Sequence, residues 1–402
     1  MNHGYLIVSV YFNDVATPVE GAKVNIKGEG ANIDLLTDES GKTNKIKLNT
    51  PVLQASLVPQ YEVKPYATYE LTVEKTGYKP VIITGVEVFP TETSLQSVYM
   101  HQEDGTGPEY INLPEHELWE PSAGKDQYMH QTDDNLERVL PRVIIPEYVI
   151  VHDGAPTANA TRHVVSFRDY IKNVTSSEIF STWPVESIKA NVHAIVSFTL
   201  NRYFTEWYKS RGHAFTITSS PAFDQKYTHN RTIFQSISNV VDEYFRYFIR
   251  LGGTTHPFFA QYNDGIKTNI KGRLSQWGSK EMADRGSSAI QILRHFYTNN
   301  LSLVVGHEMI GLPNSFPGFN LSVGTCGEYV QKAQIELNRI RTHYPAIPAI
   351  QPADGRYQDS TRRAVEAFQR IFNLPVRGVI DFATWFEISR VFTAVARLSA
   401  GV

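Results

Sequence analysis

The sequence predicts a multidomain chain: an all-β sandwich at the N-terminal end, an α+β domain in the middle and a three-helix unit near the C-terminal end. Three observations predict it. At 402 residues the chain is too long for one ordinary hydrophobic core, and about 150 residues per domain gives two to four units. Apolar residues alternate with a period of two through residues 1–100 and follow a helical period through 324–396. Between them, over residues 148–305, short strand-like runs alternate with one long helical pattern.

In the first region Leu6, Val8 and Val10 alternate, as do Val24 and Ile26, Leu71 and Val73, and Val86 and Val88. Turn signals separate them at Asp38-Glu39-Ser40-Gly41-Lys42, Thr76-Gly77-Tyr78 and Thr84-Gly85. Several short strands at this spacing predict a sandwich. Pro18-Val19-Glu20-Gly21-Ala22-Lys23-Val24, followed by Thr37-Asp38 and Lys75-Thr76-Gly77-Tyr78, resembles the transthyretin-like, carboxypeptidase-regulatory type of domain. That resemblance implies a spacer, a binding unit or a pro-region. Residues 101–147 then lose periodicity and become rich in Pro, Gly and acid, as expected of a linker, a wrapping segment or a processing site. His116, between Glu115 and Glu117, reads as solvated linker polarity.

The middle region opens with Tyr148-Val149-Ile150-Val151 and later repeats the strand-like pattern at Phe215-Thr216-Ile217-Thr218. A helix is expected from Pro184 to about Tyr208, with proline at its first turn and Ile188, Val192, Ile195, Val196, Thr199, Leu200 and Tyr203 on one face. Just before it lies Ser176-Ser177-Glu178-Ile179-Phe180-Ser181-Thr182-Trp183-Pro184. A glutamate with the reference pKa of about 4.3 is roughly 0.2 per cent protonated at pH 7, so acid catalysis would want an upward shift of about two units. Desolvation against Ile179, Phe180 and Trp183 is the kind of environment that supplies one. The alternative is a surface glutamate at a helix entrance.

A second linker, 306–323, contains Leu312-Pro313-Asn314-Ser315-Phe316-Pro317-Gly318. Beyond it Val330, Ala333, Leu337 and Ile340 form one helical stripe, and Val365, Phe368 and Phe372 another. Three short helices around a small core account for both.

Composition limits the chemistry. A net charge of -3 leaves no electrostatic footprint for nucleic acid or anionic membrane, and an uncharged polymer such as glycan fits at least as well. The single cysteine, Cys326, excludes an intrachain disulfide and a thiolate metal cluster. The N-terminal residues lack a basic n-region and alternate like a strand, which argues against a signal peptide. No apolar run approaches the roughly 18 residues of a membrane span. Gly306-His307-Glu308-Met309-Ile310-Gly311 imitates a zinc motif, but position 311 is glycine where a second histidine is needed. No cofactor and no metal are expected.

The middle region resembles the SpoIID-like family, typified by stage II sporulation protein D. That family carries Ser-Glu-aliphatic, a short spacer and Trp-Pro-x-Glu-Ala-Leu-Lys-Ala-Gln, and closes with Ser-Gln-Trp-Gly. Here these read Ser177-Glu178-Ile179, Trp183-Pro184-Val185-Glu186-Ser187-Ile188-Lys189-Ala190-Asn191 and Ser275-Gln276-Trp277-Gly278, with Asp224-Gln225-Lys226-Tyr227 between them. The C-terminal unit resembles the three-helix peptidoglycan-binding domain through Gly327-Glu328-Tyr329-Val330, Gln334, Leu337-Asn338, Asp354-Gly355, Ala367-Phe368-Gln369, Leu374-Pro375-Val376-Arg377-Gly378 and Thr384-Trp385. It departs at Arg356-Tyr357-Gln358-Asp359-Ser360-Thr361, where the usual form has Phe-Gly-Pro before the threonine.

Together the domains resemble spore cortex-lytic enzymes of the clostridial type. The resemblance implies a lytic transglycosylase acting on peptidoglycan glycan strands in germination, located in the spore cortex or coat region or the cell wall. It also implies a zymogen cut by an activating protease, and such a cut would fall most easily in residues 120–147. Such chemistry needs a single acid/base, and Glu178 is the candidate. Glu186, inside the helix, reads as an ordinary polar helix position. Gln225, Tyr227, Ser275, Gln276 and Trp277 are candidates for substrate binding; the other reading makes Trp277 a core anchor and the polar residues satisfiers of local backbone. In the C-terminal unit the candidates are Asp354, Gly355, Arg356, Phe368, Gln369 and Trp385.

Two departures qualify the resemblance. Many SpoIID-like members carry two cysteines where this chain has Asn263 and Asn269, and amides are poor zinc ligands. Lys271-Gly272-Arg273-Leu274 replaces a frequent His-Gly-x-Gly. Both support the alternative of a non-catalytic peptidoglycan-binding or spore-assembly protein on the same scaffold.

Overall fold

The computed structural model describes residues 2–15, 17–116, 118, 143–306, 309–310 and 316–399. The chain divides into two compact units, one of Met1–Val52, Tyr66–Leu113 and Leu312–Val402, the other of Leu53–Pro65 and Pro114–Gly311. Most of the expected processing segment, the His-Glu motif at 307–308 and the linker at 312–315 lie outside the described residues.

The first unit begins with β1 (Asn2–Phe12), β2 (Lys23–Gly28), β3 (Ala31–Leu36) and β4 (Ile46–Thr50). After α1 (Gln54–Leu57), which belongs to the second unit, come β5 (Ala67–Glu74), β6 (Val81–Val88), β7 (Thr93–Met100) and β8 (Glu109–Asn112). One sheet runs β3-β2-β5-β6-β8, and in the other β1 lies between an antiparallel β4 and a parallel β7. The predicted alternation is realised: Leu6, Val8 and Val10 of β1 share one core with Val24, Ile26, Leu71, Val73, Val81 and Ile83 of the facing sheet. The sheet region continues past residue 100 because β8 pairs with β6. At the turn before β4, the Asp38 carboxylate accepts the Ser40 and Lys42 N–H groups. Gly41 sits there at φ +74°, where a Cβ would come 2.4 Å from the Val10 carbonyl oxygen.

The second unit continues with β9 (Ile145–Pro146), β10 (Tyr148–His152), β11 (Arg162–Ser166), α2 (Phe167–Glu178) and α3 (Val185–Phe204). Then follow β12 (Ile217–Thr218), β13 (Ile233–Phe234), α4 (Gln235–Tyr244), β14 (Tyr247–Leu251), β15 (Tyr262–Asn263) and β16 (Leu274–Ser275). It closes with α5 (Gln276–Asp284), α6 (Ala289–Phe296), β17 (Leu301–Val305) and β18 (Met309–Ile310). The expected helix is α3, with Pro184 at its N-cap, and it is buried on nearly all faces.

One expectation is corrected here. Glu178 does not sit in a loop at a helix entrance; it is the last residue of α2, which the sequence reading missed. Phe167, Tyr170, Ile171 and Val174 give α2 a helical apolar stripe, and Ser166 caps it by accepting the Asp169 N–H. The run Thr175-Ser176-Ser177 obscured it, since these residues are weak helix formers.

The chain ends in the first unit with α7 (Glu328–Ile340), α8 (Asp359–Ile371) and α9 (Phe382–Ser399), the three helices that the stripes predict. Two glutamines knit them in the same way. Gln334 Nε2 donates to the Arg356 carbonyl and to Thr361 Oγ1 while its Oε1 accepts the Gly355 N–H. Gln369 Nε2 donates to the Val379 carbonyl and Thr384 Oγ1 while its Oε1 accepts the Arg377 and Gly378 N–H groups. Each glutamine thus pins the loop that follows its helix to the first turn of the next.

Candidate functional site

Glu178 is fully buried at the C-terminal end of α2. Its Oε1 accepts the Lys226 backbone N–H at 2.7 Å and its Oε2 accepts the Tyr262 hydroxyl at 2.6 Å. Burial pushes its pKa up to about 8; the Lys226 N–H and Tyr262 hydroxyl, which favour the carboxylate, pull against that and lose. The group is therefore mainly a neutral acid at pH 7. Of the two readings open from sequence, the surface glutamate is the one the structure removes.

The loop that supplies the Lys226 N–H is anchored beside it. Asp224 accepts from Arg202 Nε (2.8 Å), Tyr208 Oη (2.6 Å), Thr218 N (2.9 Å) and Thr218 Oγ1 (2.8 Å). The Arg202 guanidinium lies 4.4 Å from the Trp207 ring and 4.5 Å from that of Phe259. Gln225 is spent internally: its Oε1 accepts the Tyr170 hydroxyl and Thr199 Oγ1, and Nε2 donates to the Ile195 carbonyl. Tyr227 stacks on Tyr170 at 5.7 Å and shares a hydrogen bond with His229. Gln225 and Tyr227 accordingly support the loop beneath Glu178.

The second motif is also largely explained by local structure. Ser275 caps α5 by accepting the Gly278 N–H at 2.9 Å, and Gln276 is fully buried in the first turn. Gly265, at φ +86°, is obligatory because a Cβ would fall 1.8 Å from Ser275 Oγ. Trp277 joins an aromatic cluster, 4.9 Å from Trp183 and 6.1 Å from Phe180. His116, expected in solvated linker, is instead buried 5.2 Å from the Phe180 ring.

What sequence reasoning missed lies beside these motifs. Tyr262 stands in Gln261-Tyr262-Asn263, whose neighbours drew attention only as replacements for a cysteine pair. Asn263 is fully buried in register with Ser275, and its carboxamide has no hydrogen-bond partner on either atom, whereas Asn269 is exposed. The hydroxyls of Thr175, Ser176, Ser177 and Ser181, which flank Glu178 in sequence, are buried and unpartnered too. An unsatisfied buried polar group costs about 1–3 kcal/mol, so each of these side chains weighs against stability as it stands. Among the described residues no group of three His, Cys, Asp or Glu could hold a metal ion.

In the C-terminal helices the six candidates separate cleanly. Phe368, Gln369 and Trp385 are buried framework, as is Gly355 at φ +78°, so none of the four offers a side chain to a ligand. Asp354 and Arg356 are exposed on one turn, where Asp354 Oδ1 accepts the Arg356 N–H.

Residues 326–386 match the peptidoglycan binding domain family. The match supports peptidoglycan binding and a cell-wall association, and among the described residues no helix is long and apolar enough to cross a membrane. No curated protein matches the chain. Among solved structures the Bacillus anthracis TIE protein is similar at 14% identity over 27% of this chain and 20% of its own, with a TM-score of 0.20. The 5-hydroxyisourate hydrolase of Klebsiella pneumoniae is similar at 18% identity over 25% of this chain and 94% of its own, TM-score 0.17. A cohesin–X-dockerin complex of Acetivibrio cellulolyticus is similar at 14% identity over 26% and 64%, TM-score 0.18. Likenesses this slight carry no argument about function.

Proposed function

We propose that the second unit is a lytic transglycosylase that cleaves the MurNAc–GlcNAc bond of peptidoglycan, with Glu178 as its single acid/base. The observation that carries this reading is a fully buried carboxyl at the end of a helix, held by two donors, with unpartnered hydroxyls beside it in sequence and the unpartnered Asn263 carboxamide next to its partner Tyr262. In the forward step Glu178 gives its proton to the glycosidic oxygen as the C1–O bond breaks. The resulting carboxylate, stabilised by the Lys226 N–H and the Tyr262 hydroxyl, then takes the proton of the muramic 6-hydroxyl, whose oxygen bonds to C1 and closes the anhydro ring.

The match of residues 326–386 supports the polymer, and the SpoIID-like resemblance supports spore cortex as its source and an activating protease as a partner. Digestion of cortex or cell-wall sacculi, read by muropeptide mass spectrometry, tests the reaction. Anhydro-muramic ends should form with the parent and vanish with Glu178→Gln while sacculus binding persists. Equal yield from that variant defeats the assignment.

The full burial of Glu178 and the internal commitment of Gln225 favour a second reading, a non-catalytic wall-binding or spore-assembly protein. Absence of new muropeptides with both the intact and the protease-trimmed chain would establish it.

A further inference from the structure

The ring cluster beside Glu178 has an occupant from a distant part of the chain. Residues 53–65 lie between β4 and β5 in sequence, yet they belong to the second unit. There Ala55 and Ser56 of α1 are buried, while Val58, Tyr61 and Val63 just beyond are exposed. Trp183 Nε1 donates to the Ser56 carbonyl at 2.9 Å, and Thr182 Oγ1 donates to Ser56 Oγ at 2.8 Å. A four-residue helix without a side-chain N-cap is not stable by its own hydrogen bonds, so tertiary contacts such as these two hold it.

We propose that the Trp183–Trp277 shelf is a stacking subsite for an N-acetylhexosamine ring, and that α1 occupies it as an internal stand-in, competing with sugar in the intact chain without excluding it. Two indoles 4.9 Å apart and inclined at 52° offer apolar faces to the C–H side of a pyranose, with one N–H beside them for an acceptor. In this structure the Ser56 carbonyl holds the place of that acceptor, which a sugar would supply as an acetamido or hydroxyl oxygen. The Phe180 ring, 5.6 Å from Trp183, extends the apolar surface toward the α2 end that carries Glu178. Small side chains, two hydrogen bonds and an exposed continuation make α1 a weak occupant. Its tether gives it an effective concentration of the order of millimolar, enough to compete with a weakly bound sugar.

The proposal rests on reading the second unit as glycan-acting, but its test reads binding and not cleavage, so failure of Glu178 as the acid leaves it untouched. Chitotetraose is titrated calorimetrically into the full chain. Ala55→Arg, which places a charge on the buried face of α1, should tighten binding at least tenfold, whereas the exposed control Val58→Arg should not. Adding Trp183→Phe to Ala55→Arg should return affinity to the parental level. That separates the shelf from the C-terminal domain, whose own binding should stay constant throughout. Tightening that survives Trp183→Phe, or none in a folded Ala55→Arg protein, overturns the proposal.

If arginine costs the fold, Ser56→Cys/Thr182→Cys with Cys326→Ser reads the same contact in reverse, the two hydroxyls being 2.8 Å apart. Oxidation should remove the shelf's share of binding and reductant restore it. Identical binding in both states overturns the proposal equally.

Discussion

Two glutamines of the C-terminal helices and the polar side chains next to Glu178 and Tyr262 in sequence are satisfied to opposite degrees. Gln334 and Gln369 have both carboxamide atoms engaged, by carbonyls, threonine hydroxyls and backbone N–H groups that no ligand needs to supply. Beside Glu178 in sequence four hydroxyls, and beside Tyr262 the Asn263 carboxamide, are buried with no partner, although Glu178 itself accepts two hydrogen bonds. A framework fills its polar valences because each empty one lowers stability. On the proposed reading, a site leaves some open for a substrate to fill. The difference teaches which buried polar residues to expect in chemistry and which in architecture.

The largest effect should come at Glu178. Replacing the acid with an amide keeps the shape and removes the transferable proton, so Glu178→Gln should lower the formation of anhydro-muramic products by about 10³-fold. The same variant has a signature in stability. With the folded pKa raised from 4.5 to about 8, the native state keeps a proton that the unfolded chain has released over that window. Wild-type stability should therefore fall as pH rises from about 4.5 to 8, by up to about 1.4 kcal/mol per pH unit, relative to the variant. Urea melts at pH 4 and pH 8 check this. A gap between the two proteins that does not widen toward pH 8 would mean that Glu178 is ionised in the fold and unsuited to acid chemistry.

Next in size is a contrast between amides. Gln369→Leu strands the Arg377 and Gly378 N–H groups and the Val379 carbonyl, and should cost about 3 kcal/mol, read as a loss of thermal stability and of sacculus binding. Asn263→Leu removes a carboxamide that bonds to nothing, so it should leave stability unchanged or raise it by about 1 kcal/mol while lowering glycan cleavage. Equal destabilisation by the two would erase the distinction between framework and site.

How far this was legible in the sequence depended on the kind of signal. Period-two alternation at Leu6, Val8 and Val10 announces β1 directly, and the stripes of α7 and α8 are as plain, because burial of one face imposes a period on the residues that build it. Glu178 could be singled out by its apolar neighbours. The helix it ends could not, because Thr175-Ser176-Ser177 weakens the local propensity that tertiary packing overrides. Tyr262, Lys226 and Ser56 were invisible for another reason: they meet Glu178 or Trp183 from 84, 48 and 127 positions away, and nothing in a single sequence records such a meeting. The Ser-Gln-Trp-Gly motif was visible, yet its serine and last glycine serve local geometry, a cap and a close approach of Gly278 to Phe296.

The smallest effect tests the complete side of the contrast where a charge is involved. Lys42 Nζ donates to the Arg370 and Ile371 carbonyls at 3.2 Å and to Asn373 Oδ1 at 2.6 Å, closing the C-terminal end of α8 from the turn before β4. Burial pulls its pKa down to about 8, against the pull of Asp38, so part of what the hydrogen bonds contribute is offset by keeping the ammonium desolvated. Lys42→Met should consequently lose only about 1 kcal/mol at pH 7. Between pH 8 and 10.5 the native lysine releases its proton before the unfolded one does. The wild type therefore gains relative to the variant as pH rises through that window, and the difference between them should grow. Denaturant melts of both proteins at pH 7 and pH 10 measure it. A difference that shrinks toward pH 10 would show that the ammonium, fully compensated by its three acceptors, is favoured in the fold, and that even a charge can be completed there as Gln334 and Gln369 are.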